Sequence, residues 1–453
     1  MTSALQYAQE QASAFEAQLE DFLRIPSVSA DSSHDADVRR CAEWLAAEFE
    51  RIGMQTVEIL ETGGHPVVYA HYETDPDAPT VLCYGHYDVQ PPDPIELWTT
   101  PPFEPTRKNG TLYARGASDD KGQAFMHVKA AEACIATEGL PLNVKFVVEG
   151  EEEVGSEHLG EFLETYKERL AADIVLISDT ALFAPGVPSI SAGLRGLAYI
   201  EVELTGPDRD LHSGVYGGAV ENPLNALATM ISDLHDADHR ITVAGFYDNV
   251  RDLSPEEREA YKSLPFDEAS WLGSIGLDSA RPEAGYSVLE AKSARPTLDV
   301  NGIWGGYQGE GAKTVLPGKA AAKISCRLVP DQTPDEIYEK LRAHFEAHTP
   351  DTMTLKFTVL HGGMPVLVDT SSPAMQAASE ALEGVFGRPP VFTREGGSIP
   401  IVADFKQILG LDSVLMGFGL NTDALHSPNE HFGLDRFHQG IEAVVRFFYA
   451  YSG

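Results

Sequence analysis

Residues 144–156 read VKFVVEGEEEVGS, an apolar run that turns abruptly into four carboxylates within five positions, Glu149, Glu151, Glu152 and Glu153. The short branched and aromatic run has the pattern of a buried strand. Acids crowded at its exit repel one another and lose hydration unless positive charge compensates them. A solvated acidic turn would explain the charges alone. The segments on either side argue against that.

Upstream, the spacing of Leu5, Ala8, Ala12, Phe15, Leu19 and Phe22 predicts an amphipathic helix ending before Pro26. Val38, Cys41, Trp44, Leu45, Phe49 and Ile52 predict a second, closed by Gly53. Strands are expected near 56–60, 67–71, 81–84 and 111–114, and Ser118 is placed to cap a helix through Ala136. A charged helix near 157–170 and a strand at 174–178 follow. Strands alternating with helices predict an α/β domain with a mainly parallel sheet and helices on both faces. His86 and Asp88 follow one strand, Glu152 and Glu153 another, Asp179 a third. In open α/β sheets ligands bind outside the carboxyl ends of the strands, so separate strands deliver acids and an imidazole to one edge.

From about Leu194 the texture changes. Alternating stretches at 197–204, 319–328 and 354–360, with helical patterns at 223–234 and 334–347, predict an inserted α+β domain with its own sheet. A Gly-rich loop is expected over 212–218, and 248–292 resists assignment. From Ser371 the first pattern returns and ends in a helix at 434–451. The expected division is a catalytic domain of residues 1–193 and 370–453, split around a domain of residues 194–369.

The chain has 453 residues, too many for one ordinary core. A net charge of −36 disfavours nucleic acid and anionic membranes as partners. No stretch approaches the roughly 18 apolar residues of a membrane span, and the start lacks the basic-then-apolar order of a signal peptide. Cys41, Cys83, Cys134 and Cys326 form no CxxC pair. Disulfides and a cysteine-bound zinc are therefore not expected, and a reducing cytoplasm is.

Cleaving an amide at neutral pH without a nucleophilic side chain needs a metal to activate water and polarise the carbonyl. A free carboxylate must then carry the proton to the leaving amine. The sequence offers His86 and Asp88 in GHYD, Asp119 in ASDDKG, Glu152 and Glu153, Asp179 in ISDT, and His426 in ALHSPNE. Residues two apart on an extended segment point the same way, so His86 can bind metal with Asp88 behind or beside it. Neighbours point apart, so Glu152 and Glu153 divide proton transfer and metal binding between them. Mixed imidazole and carboxylate donors suit zinc or manganese.

GHYDVQP, LYARGASDDKG, EGEEEVGS, ISDT, LHSGVYGG and ALHSPNE, in that order, resemble the di-metal peptidase family of carnosine dipeptidases, glutamate carboxypeptidases and aminoacylases, over nearly the whole chain. The resemblance implies two metal ions per chain, usually zinc and sometimes manganese, and a homodimer made through the inserted lid domain. It makes Asp119 the bridging carboxylate, with His86 and Asp179 on one metal and Glu153 and His426 on the other. Glu152 becomes the general base and acid, and Asp88 the residue orienting His86. His212 matches a histidine that reaches the partner's active site. Thr314, Arg327 and Ser398 match positions that hold the substrate's carboxylate end, and Gly396 and Gly397 allow close backbone approach. Glu149 and Glu151 receive no role beyond solvation.

The long insertion and the GYQGEGAKTVLP and RLVP stretches resemble the dipeptidase branch more than the shorter-lidded deacylases. The expected activity is release of a C-terminal amino acid from dipeptides or short peptides. Glu395 is a candidate partner for a free substrate amine, and closure about hinges near Leu194 and Asp369 is expected. An N-acyl amino acid amidohydrolase is the alternative, and a catalytically silent metal-binding scaffold is the reading from another class.

Overall fold

The computed structural model describes residues 1–396 and 400–453. The chain forms two compact units: Met1–Ala192 with Val368–Thr393 and Pro400–Gly453, and Gly193–Leu367 with the segment that begins at Arg394.

The first unit holds a six-stranded sheet of β1 (Thr56–Leu60), β2 (Val67–Tyr72), β3 (Thr80–His86), β4 (Asn143–Glu149), β5 (Ile174–Ile177) and β6 (Ser413–Leu415). Their order across the sheet is β1-β2-β4-β3-β5-β6. The pairs β3–β4, β3–β5 and β5–β6 run parallel, while β1–β2 and β2–β4 run antiparallel. Val81–His86 and Ile174–Ile177 are buried at every position. Strands buried without alternation are covered on both faces.

The helix α1 (Asp35–Ile52) ends where expected, with Gly53 at φ 92°, a left-handed conformation glycine adopts without strain. α2 (Lys121–Ile135) is buried along nearly its whole length and packs against α3 (Leu434–Tyr451). At their crossing a Cβ on Gly440 would lie 2.0 Å from Met126 Sδ, so any larger residue there would force the Met126 side chain to move. Ser118 does not cap α2. The helix starts at Lys121, and the Ser118 hydroxyl donates to Asp423 Oδ2 at 3.0 Å. The first predicted helix is two, Thr2–Glu10 and Ala12–Leu23, separated at Gln11.

The second unit is built on an antiparallel sheet of Thr297–Gly305, Lys319–Leu328, Gly196–Thr205 and Thr354–Gly363, in that spatial order. Ala198, Ile200, Val202 and Leu204 point from the strictly alternating strand Gly196–Thr205 into a core with Leu227, Ile337, Leu341 and Phe345 of the helices Pro223–Ser232 and Pro334–His348. The stretch 248–292 contains the short helices Pro255–Ser263, Glu268–Ser274 and, overlapping its end, Val288–Ser293. Among the described residues no helix is long and apolar enough to cross a membrane, and Cys41, Cys83, Cys134 and Cys326 are buried free thiols.

Candidate metal centre

β3 ends on His86, whose imidazole is fully buried. Its Nδ1 lies 3.1 Å from the Asp88 carbonyl and 3.3 Å from Asp88 Oδ1, leaving Nε2 to face Asp119 Oδ1 at 3.2 Å. An imidazole engaged through Nδ1–H presents its lone pair at Nε2, the form that binds metal. Asp88 also organises the next segment. Its Oδ1 accepts from the Glu152 N–H at 3.3 Å, and its Oδ2 from the Glu153 N–H at 3.1 Å and the Ser29 hydroxyl at 2.6 Å.

Beyond β4 the chain tightens into a single turn, Glu152–Val154, closed by Gly155 at φ 100°. The turn separates the two acids. Glu153 Oε2 accepts from Gln90 Nε2 at 2.8 Å and lies 3.4 Å from His426 Nε2. Among the described residues nothing hydrogen-bonds the Glu152 carboxyl, which sits among His86, Asp179, Glu153 and Asp119. Asp119, just ahead of α2, turns its other oxygen, Oδ2, to His426 Nε2 at 2.9 Å. Asp179 follows β5, and His426 lies in the loop beyond β6.

Two donor groups result, His86 with Asp119 and Asp179, and Asp119 with Glu153 and His426; within each, the ligand atoms lie within 4.8 Å of one another. Donors bonded to one ion at about 2.0–2.1 Å, with angles between square and tetrahedral, stand about 2.8–3.4 Å apart. The His86–Asp119, His426–Asp119 and His426–Glu153 separations of 3.2, 2.9 and 3.4 Å fall in that range. The residues present fit two divalent ions with Asp119 between them.

The electrostatics agree. Burial and then Asp119 push Asp179 up to about 6, and the same two causes push Glu153 up to about 8. Burial likewise drives Glu152 well above the carboxylate range, with Asp179, Glu153 and Asp119 adding to it. Burial opposes charge on His86 as well, yet Asp119 and Asp88 carry its pKa well up. For Asp119, hydrogen bonds from His426 and His86 overcome burial and hold the carboxyl below its usual range. Acids that retain protons beside imidazoles that gain them mark a site short of positive charge.

Glu149 and Glu151 are not solvated acids. Glu149 is buried and accepts from the Tyr84 hydroxyl at 2.5 Å and the Ser156 hydroxyl at 2.9 Å. Glu151 is buried against His158 Nδ1 at 2.9 Å. Gln90, beside Glu153, and Asp120, whose Oδ2 accepts from the His86 N–H at 3.3 Å, were not singled out from the sequence, although both stand in the GHYDVQP and SDDKG stretches.

In the second unit, His212 pairs with Val315 in a two-stranded ribbon, Leu211–His212 with Val315–Leu316, and Thr314 immediately precedes that ribbon. His212 is exposed, its Nδ1 accepting from the Gly214 N–H at 3.0 Å, and the Thr314 carbonyl accepts from the Ser213 N–H at 3.1 Å. Arg327 lies elsewhere, on the central strand between Thr297 and Leu197, half-buried, and burial lowers its pKa. Gly397 and Ser398 lie outside the described residues, as does the side chain of Glu395.

Imidazoles and carboxylates that share one aspartate at the carboxyl ends of parallel strands define a class, the hydrolases built around paired divalent ions. Residues 82–450 match the peptidase family M20/M25/M40, and the chain belongs to it. It is a metallopeptidase. It is 34% identical to the Cys-Gly metallodipeptidase dug1 of Schizosaccharomyces pombe, over 94% of this chain and 93% of that protein. It is also 34% identical to the Beta-Ala-His dipeptidase of Homo sapiens, over 84% of this chain and 77% of that one. Among solved structures, an M20 family metallo-carboxypeptidase, Sso-CP2 from Sulfolobus solfataricus, superposes with a TM-score of 0.86 at 34% identity, covering 97% of this chain and 99% of that one.

Proposed function

We propose that this protein hydrolyses the amide bond of dipeptides or short peptides, releasing the C-terminal amino acid, at a centre of two divalent ions. The observation that carries the reading is Asp119, whose two oxygens face imidazoles of two separate donor groups, with the unbonded Glu152 carboxyl among them. His86, Asp119 and Asp179 hold one ion, and Asp119, Glu153 and His426 the other. Zinc suits these donors best, and manganese is accommodated. Bound ions supply Lewis acidity toward the scissile carbonyl and lower the pKa of the attacking water.

The chain's own groups do the rest. Glu152, set among the ligand acids with no hydrogen-bond partner among the described residues, accepts the proton from water and returns it to the leaving nitrogen. Asp88 fixes the His86 ring and, through the N–H groups of Glu152 and Glu153, the turn that carries the base. Thr314, Arg327, Gly397 and Ser398 hold the substrate's carboxylate end. Arg327 has the planar pair of donors that a carboxylate takes up. His212 serves the partner protomer's oxyanion in a homodimer made through the second unit. The edge strand Thr297–Gly305, with Val300, Ile303 and Trp304 exposed, supports such pairing. Four reduced cysteines support a cytoplasmic home. The similarity to a Cys-Gly and a Beta-Ala-His dipeptidase supports dipeptides as the substrate class.

The test is Glu152→Gln. The variant should retain both ions while dipeptide hydrolysis falls by about 10²–10⁴-fold. Unchanged turnover would remove Glu152 from proton transfer.

A further inference from the structure

We propose that Glu430 is a positioning residue that joins the two halves of the metal centre by clamping the segment that carries Asp119 onto the loop that carries His426; this rests on the di-metal reading above. Glu430 is fully buried. Its Oε1 accepts from the backbone N–H groups of Ser118 and Asp119, at 2.9 and 3.0 Å. Its Oε2 accepts from the Gly116 N–H at 2.9 Å and from Arg115 Nη1 at 2.8 Å. Three backbone N–H groups of the turn leading into Asp119 thus converge on one carboxylate from more than 300 residues away, with a buried guanidinium as counter-charge. Backbone N–H groups gathered on one buried anion fix a loop through charge-assisted hydrogen bonds whose donors have no side-chain freedom of their own.

The other end of the His426 loop is clamped in the same way. Asp423 accepts from the Ser118 hydroxyl at 3.0 Å and is held by Arg436 at 2.6 and 2.8 Å. His426 stands between Asp423 and Glu430 with φ 54° and an exposed side chain. Its loop is therefore pinned at both ends while its apex reaches Asp119. One carboxylate sets where Asp119 sits and where the His426 loop ends. Because Asp119 belongs to both donor groups, loosening Glu430 displaces a ligand of each ion together.

Three readouts test this on chelator-stripped protein: the affinity for each of two zinc equivalents, the visible spectrum after cobalt substitution, and the melting temperature without metal. Glu430→Gln keeps the shape but places an NH2 group against donors. Glu430→Asp keeps the charge but withdraws the oxygens, and it carries the test if the Gln variant does not fold. We expect zinc affinity at both equivalents to fall by about 10–100-fold, as loss of partners behind metal ligands does, with altered cobalt bands. A lower melting temperature with wild-type affinities and cobalt spectrum would overturn the proposal, leaving Glu430 a structural residue only. Loss at one equivalent alone would also overturn it. Wild-type protein that takes up fewer than two ions would sink the di-metal reading itself, and is recognised by failing before any variant is compared.

Discussion

Asp88 offers a sharp perturbation, because each of its oxygens has a different duty. Asp88→Asn must place an NH2 group at one of them. At the Oδ1 position it would oppose both the Glu152 N–H and His86 Nδ1. At the Oδ2 position the Ser29 hydroxyl can rotate to accept, and only the Glu153 N–H loses its partner. The second arrangement is favoured, and one buried N–H left unsatisfied costs about 1–3 kcal/mol. Asp88→Ala orphans both backbone N–H groups, about 2–6 kcal/mol by the same measure. Both variants also remove the negative charge behind His86, for which about 10–100-fold in metal affinity is expected. Denaturant unfolding of the metal-free protein reads the first effect, and zinc competition with a chromophoric chelator reads the second. Wild-type zinc affinity in Asp88→Asn, together with an Ala variant no less stable than the Asn one, would refute this reasoning.

Other expectations concern groups that are not themselves ligands. Glu149 is held up to about 8, chiefly by burial, so the folded protein binds its proton more tightly than the unfolded chain does. That contribution to stability is complete below about pH 4.5 and is lost as pH rises through about 8. Both hydroxyl donors use Oε1, so Glu149→Gln keeps them. The variant should match the wild type near pH 5 and exceed its stability at pH 8.5 by at most about 5 kcal/mol; equal stability at both pH values in chemical denaturation counts against the shift. Lys129 is buried between Glu48 and Glu132 and over the rings of Phe15 and Phe125. Lys129→Met leaves those acids to Arg51 alone. It should lose about 3 kcal/mol, the low end for a broken buried pair, with kcat at saturating metal unchanged. A drop in kcat without loss of stability would contradict a structural role.

What could be read from the sequence follows from how local each signal is. Gly53 at a helix end and the continuous apolar runs of β3 and β5 need only their own neighbours. So do the acids and the imidazole that follow those strands, and the family motifs brought the rest of the ligand set together. Glu430 ends the ALHSPNE stretch without a legible role, because three of its four partners, the N–H groups of 116, 118 and 119, are backbone and have no sequence signature. Glu149 and Glu151 look solvated in the sequence because charge alone does not reveal Tyr84, Ser156 or His158 folding over them. Ser118 has the chemistry of a helix cap, but the helix begins three residues later and Asp423 claims its hydroxyl. The strand Thr297–Gly305 lacks alternation since it is an exposed edge with a bulge between Val300 and Gly302, and only pairing with its neighbour defines it.

The most direct test is a hydrolysis screen of zinc- and manganese-loaded protein against free dipeptides and their N-acetylated counterparts, with metal content determined on the same sample. The account predicts two ions per chain and cleavage of the free dipeptides. Preference for the acylated compounds would move the protein to the deacylases, and two bound ions with no turnover on either set would contradict the account.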